Sequence, residues 1–160
     1  MNKNRPHLLV LPEDDANRQL ANGFQLDHSL DTRRMQVLKE AGGWRVVVDL
    51  FRNEHVPEMD RNPNRFVVLL LDFDRKEDRL NSVKAEIPER LVDRVFVLGA
   101  WSNPEELRQE LGPYETIGLG AAKDCRCNTE LTWSHELLRH NAVELERLRK
   151  SVRPILFPDA

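Results

Sequence analysis

Four short apolar runs, separated by stretches of helical spacing, set the pattern of the chain. Residues 7–11 (HLLVL) end in Pro12 and three acids, Glu13, Asp14 and Asp15. Residues 45–50 (RVVVDL) follow Gly42 and Gly43, residues 65–71 (RFVVLLL) end in Asp72-Phe73-Asp74, and residues 94–98 (RVFVL) end in Gly99-Ala100-Trp101-Ser102. The runs are rich in Val and Leu and continuous rather than alternating. Strands read this way when helices cover both faces of a parallel sheet. Between them the spacing predicts helices. Residues 15–41 hold two, broken near 26–29, where Asp27 or Ser29 caps the second and Gly42-Gly43 ends it. Residues 78–91 predict another, interrupted by Pro88. Residues 104–111 predict a short one: Ser102 or Asn103 caps it, Pro104 opens it, Glu105 and Glu106 fill its first turn, and Gly112 stops it. Strand and helix alternate, which argues an α/β fold whose mostly parallel sheet has four to five strands, flanked by helices.

After Tyr114 the pattern changes. Residues 115–119 (ETIGL) read as a short fifth strand. Residues 132–152 predict one long C-terminal helix, with Leu138, Leu145, Leu148 and Val152 on a single stripe. Asn141 lies on the same stripe and needs a hydrogen-bond partner if it is buried. Pro154 then ends the helix, and Ile155, Leu156 and Phe157 dock on the body. No repeat, low-complexity tract or linker intervenes. The expectation is one domain over residues 1–160, with a core at 7–112 and a helical extension at 113–160.

Composition narrows the setting. The 160 residues are 32% charged and 40% hydrophobic, a globular composition. The longest wholly apolar run, residues 66–71, is far below the roughly 18 residues that a membrane span needs. No apolar leader core follows Met1, and the two cysteines, Cys125 and Cys127, make no disulfide framework. A cytoplasmic protein without a membrane partner is expected. With 24 basic and 27 acidic residues, the net charge of −3 excludes a strongly basic nucleic-acid module. A nucleic-acid partner stays open, because a local basic surface can sit beside an acidic site. The 18 arginines against 6 lysines favour a phosphate-bearing partner, unless the bias is only genomic base composition.

The acids collect at strand ends, which is where open α/β sheets bind ligands. Residues i and i+2 of an extended chain point to one side, so Asp72 and Asp74 should project together while Phe73 faces away. If the first and third strands are neighbours, these two meet Glu13, Asp14 and Asp15 in a small volume. Carboxylates that close stay ionised only when a cation, or a nearby Lys or Arg, compensates them. Hard oxygen ligands of this kind suit Mg²⁺ or Mn²⁺, which hold phosphate oxygens. An acid just after a strand also serves as the N-cap of the next helix, and Asp14 or Asp15 is placed to do only that.

A strand ending in Glu13 and a later strand ending in Asp72-x-Asp74 resemble the Toprim domain of topoisomerases, primases and related nucleases. The likeness covers about residues 7–112. It implies Glu13 as the acid-base or metal-binding glutamate, and Asp72 and Asp74 as metal-binding aspartates. Asp14, in the same cluster, is a further candidate metal ligand, and Glu105 or Glu106 stands where nuclease branches carry another acid. The implied activity is Mg²⁺- or Mn²⁺-dependent phosphoryl transfer, phosphodiester cleavage of nucleic acid above all, with Glu13 or a metal-bound water as base. A protein partner, an ATPase of the kind nuclease relatives carry, is also implied. The opening HLLVLPEDDANRQLA is similar as well to response-regulator receiver domains, in which Asp14 and Asp15, or Glu13 and Asp14, would hold Mg²⁺ and Asp72 would accept a phosphoryl group. That family also needs a Ser or Thr at the fourth strand end, for which Ser102 comes late, and a Lys at the fifth, to which Lys123 is only loosely placed. A domain without chemistry, acting through its helical C-terminal part, is the third alternative.

Other residues carry less. His135 and His140, five apart, lie on different faces of a helix and suit no zinc site. Cys125-x-Cys127 lacks a second ligand pair and reads as two free thiols. Gly118-Leu119-Gly120 completes no phosphate loop, and the basic residues of 139–153 read chiefly as a solvated face.

Overall fold

Every residue of the first strand, β1 (His7–Pro12), is buried, and the reason is visible on both sides of it. In the computed structural model, which describes residues 1–160, β1 lies inside a four-stranded, wholly parallel sheet of order β2-β1-β3-β4. Its neighbours are β2 (Met35–Val37) and β3 (Arg65–Leu70), and β4 (Val95–Leu98) closes the far edge. Side chains alternate between two cores. Leu8, Val10, Val68, Phe96 and Leu98 pack on one face, and Leu9, Leu11, Val67, Leu69, Val95 and Val97 on the other. Continuous apolar strands are what two covered faces demand.

Helices α1 (Asp15–Phe24), α6 (Tyr114–Cys127), α7 (Ala142–Ser151) and α8 (Arg153–Leu156) supply the first core. Helices α2 (Trp44–Leu50), α3 (Val56–Arg61) and α4 (Glu77–Ala85) supply the second, while α5 (Pro104–Leu111) joins α6 beside a small third cluster. Residues beyond 112 therefore share a core with β1: Ala122, Cys125, Val152, Leu156 and Phe157 pack with Leu8 and Val10. Helices α1 and α6 touch backbone to backbone. A Cβ on Gly118 would lie 2.0 Å from the Leu20 carbonyl oxygen, and one on Gly23 would lie 2.2 Å from that of Glu115. No helix is long and apolar enough to cross a membrane.

Three expected elements are corrected. Residues 45–50 form α2 rather than a strand. Val47 and Phe51 are wholly buried while Val46 is 41% exposed, and the buried set Val47, Val48, Phe51 and Met59 follows a helical period carried through the π-helical turn Phe51–His55. The true second strand lies in the stretch expected to be a second helix. Asp31 caps a single 3-10 turn (Thr32–Arg34), and Met35–Val37 then pairs with Leu8, Leu9 and Val10. The expected fifth strand, residues 115–119, is part of α6.

The long C-terminal helix is shorter than expected. The Asp124 carboxylate accepts the amides of Thr132 and Trp133, Trp101 donates its amide to the Leu137 carbonyl, and helix resumes only after the 3-10 turn Arg139–Asn141. Asn141 finds the partners its place on the stripe required. Its Oδ1 accepts the Gly99 amide at 3.2 Å, and its Nδ2 donates to the Gly99 carbonyl at 2.9 Å. One turn on, Glu144 accepts the Val97 amide at 2.8 Å, and Arg147 donates to the Val95 carbonyl. A row spaced by three at the head of α7 thus satisfies a row spaced by two along β4 and Gly99, which covers this edge of the sheet. Asn141→Ala leaves two backbone groups of Gly99 unpaired in the interior, so urea unfolding should show a loss of about 2–4 kcal/mol. Glu144→Gln keeps an acceptor for Val97 and should cost less than half as much.

Candidate functional site

From β1 the chain crosses to β2 on one side, and from β3 to β4 on the other. The strand order reverses between β1 and β3, and the place beyond the carboxyl ends of these two strands, the crevice of open α/β sheets, is where such sheets bind ligands. Glu13 follows β1 directly, with its amide bonded to the Leu70 carbonyl at 2.9 Å. Its carboxylate reaches across the crevice and accepts the backbone amide of Asp72 at 2.7 Å. Asp72 ends the β3 segment with only 8% of its surface exposed, and its Oδ1 accepts from Asn17 Nδ2 at 3.0 Å.

Asp72 is the most perturbed acid of the molecule. Burial raises its pKa to about 8, the Asn17 amide opposes the rise, and the carboxylates of Glu13, Asp14 and Glu105 add to it. Glu13 is also raised, by burial first. The hydrogen bond from Asp72 opposes that rise, as does Arg79, while Asp14 and Asp74 reinforce it.

Glu13 and Asp72 therefore meet, and the other expected acids stand around them. Asp14 caps α1, accepting the Asn17 amide at 2.9 Å, which is the structural duty such a position often carries. Asp15 is exposed and pairs with Arg18. Asp74 does not project beside Asp72. The chain leaves the extended conformation there, with φ of 48° at Asp74 and 58° at Arg75, and the i, i+2 rule lapses. The Asp74 carboxylate lies on the rim, paired with Arg79 at 2.9 Å. Glu105 is exposed in the first turn of α5, and Glu106 pairs with Arg75 at 3.0 Å. As the side chains stand, no three His, Cys, Asp or Glu form a group that could hold a metal. Of the residues the receiver likeness implies, Ser102 is buried after β4 and Lys123 is exposed on α6, where that likeness needs a fifth strand.

Three residues here escaped the sequence reading. Asn17 is fully buried, and its Oδ1 has no partner. An asparagine at the head of the buried stripe of α1 was the signal. Arg79 donates from Nη1 to the Asp72 carbonyl and to the Asp74 carboxylate, both at 2.9 Å, and stacks 5.0 Å from the Trp44 ring. Trp44 opens α2 beside Gly42, whose amide donates to the Glu13 carbonyl at 2.8 Å. Comparison with protein-family models, curated proteins and solved structures returns no match.

The raised Asp72 acid makes a signed pH prediction. Between about pH 4 and pH 8 the folded state keeps a proton that the unfolded state has lost, so stability falls as pH rises through this window. Asp72→Asn removes the dependence. Its melting temperature should exceed that of the unaltered protein by several degrees at pH 8 and match it near pH 4.

Proposed function

We propose that the crevice is a divalent-cation site for phosphoryl transfer and that its activity is phosphodiester cleavage in nucleic acid. The observation that carries this reading is the state of Asp72. A buried carboxyl sits among other acids, compensated by one amide, and the oxygen of that same amide has no partner. Missing positive charge and a spare buried oxygen are what a hard cation supplies and uses, so the donor set fits Mg²⁺ or Mn²⁺. Asp72 and Glu13 would hold the ion, with Asn17 Oδ1 as a neutral donor and Asp14, Asp74 and Glu105 adding negative potential. Bound there, the ion would hold phosphate oxygens and offset their developing charge. The Toprim-like placement of Glu13 and Asp72 supports the same reading.

The chain's own groups divide the remaining work. Glu13, its pKa raised, is the group suited to take a proton from the attacking water. Asn17 fixes the rotamer of Asp72, and Arg79 fixes the turn that follows it. The absence of a fifth strand, with Lys123 exposed within α6 and Ser102 buried, weighs against receiver-like signalling.

The test uses a labelled oligonucleotide and a supercoiled plasmid with Mg²⁺ or Mn²⁺. Cleavage is expected, with Asp72→Ala and Glu13→Gln each lowering the rate by at least about a hundredfold. Cleavage that persists in both variants, or that ignores chelation of the metal, sinks the reading. Independently of activity, Mn²⁺ should raise the melting temperature of the protein and leave that of Asp72→Asn unchanged. Its affinity should climb with pH up to about 8, because the cation must displace the Asp72 proton.

A further inference from the structure

The rim beside Glu13 carries a guanidinium that nothing in the chain neutralises. The loop before α2 is fastened to the end of β1: Ala41 donates its amide to the Pro12 carbonyl at 2.9 Å, and Gly42 to that of Glu13 at 2.8 Å. The next residues, Trp44 and Arg45, are therefore held at the edge of the crevice. Trp44 is half-buried, anchored on the Leu9 and Leu11 core. Two arginines share its indole. Arg79, from α4, lies 5.0 Å from the ring centroid and is also bound to the Asp72 carbonyl and the Asp74 carboxylate. Arg45 lies 4.8 Å from the same centroid and is exposed.

The partners of these arginines differ. Around the crevice Arg79 pairs with Asp74, Arg75 with Glu106, and Arg18 with Asp15 and Glu40. Arg45 makes no ion pair and no hydrogen bond, although Asp49 stands one turn along its own helix. An acid partner would cancel its charge and occupy its fork of N–H donors. An aromatic face holds the guanidinium in place and leaves charge and donors free for an incoming anion. Orientation without neutralisation is what a phosphate contact requires.

We propose that Arg45, laid on Trp44, contacts a backbone phosphate of a polynucleotide strand, neighbouring the phosphate that reaches Glu13 and Asp72. This rests on the function proposed above and narrows its substrate class. The site takes a strand with phosphates in series rather than a small phosphomonoester, and the strand runs from the acid crevice over the head of α2.

The test is fluorescence anisotropy of a labelled single-stranded oligonucleotide in Ca²⁺, titrated at several salt concentrations, with Mn²⁺ affinity measured separately by calorimetry. Arg45→Ala should weaken oligonucleotide binding about tenfold and lower the slope of log affinity against log salt by about 0.7, the loss of one phosphate contact. Its Mn²⁺ affinity and melting temperature should not move. Arg5→Ala is the matched control. Arg5 is exposed, makes no ion pair and precedes β1 at the opposite end of the sheet, so its loss removes the same charge and should leave affinity unchanged. Oligonucleotide binding that is absent in the unaltered protein, equal in Arg45→Ala, or equally weakened by Arg5→Ala overturns the proposal. Mn²⁺ binding without oligonucleotide binding leaves the acid site standing and removes only the phosphate contact. The reverse result supports Arg45 and removes the cation.

Discussion

The reversal of strand order between β1 and β3 is the constraint from which the rest of the crevice follows. Where two parallel neighbours part, the ladder stops and the next backbone amide has no strand to meet. A buried amide must still be paired. Here that amide belongs to Asp72, and the Glu13 carboxylate takes the place of the missing carbonyl. One hydrogen bond thus closes the sheet, brings two carboxyl groups of distant sequence together, and draws both out of water. Burial raises the pKa of each, and at Glu13 the hydrogen bond itself works against the rise.

The same substitution of side chain for strand occurs at the β4 edge. Asn141, Glu144 and Arg147 complete hydrogen bonds to Gly99, Val97 and Val95 that a fifth strand would otherwise make. Glu144 has two cations beside it, Arg147 at 2.8 Å and Lys84 at 3.8 Å. Asp72 has no such neighbour. Buried acids of this fold are thus held in two ways, Glu144 by cations and Asp124 by the hydroxyl of Thr129 and the amides of Thr132 and Trp133, while Asp72 has a single side-chain amide.

How much of this was legible in the chain depended on the range of the interaction. Strands β1, β3 and β4 declared themselves because burial on both faces writes a continuous apolar run. The run at Val46, Val47 and Val48 imitated them, since β-branched residues in a buried helix look the same over six positions. Only Phe51 and Met59, read beyond the run, restore the helical period. The three-residue β2 carries too little signal to be seen against its surroundings. The Asn141 stripe was legible because an amide among leucines violates the pattern. Asn17 made the same violation on α1 and was passed over amid the acids. The pairing of Glu13 with Asp72 followed from strand adjacency. The departure of Asp74 did not, because its left-handed backbone is set by the amides of Asp74 and Arg75 bonding to Ser102 and Trp101, contacts remote in sequence.

Arg79 stands beside the buried acids without pairing with them. An arginine within reach of two carboxylates would normally close on them in a bidentate pair and occupy the ion's place. Here its Nη1 meets the Asp72 carbonyl rather than the Asp72 carboxylate, and its remaining freedom is taken up by Asp74 on one side and the Trp44 ring on the other. Asp74, turned outward, thus acts on the crevice from its rim by holding the arginine off the acids. The positive charge lowers Glu13 somewhat, yet burial outweighs it, and at Asp72 burial and the neighbouring acids prevail. If Trp44 and Asp74 released it, Arg79 would be free to swing onto Glu13 and Asp72 and pair with them. The aromatic ring over which Arg45 lies therefore also restrains Arg79, and one indole fixes two guanidinium groups beside the buried acids.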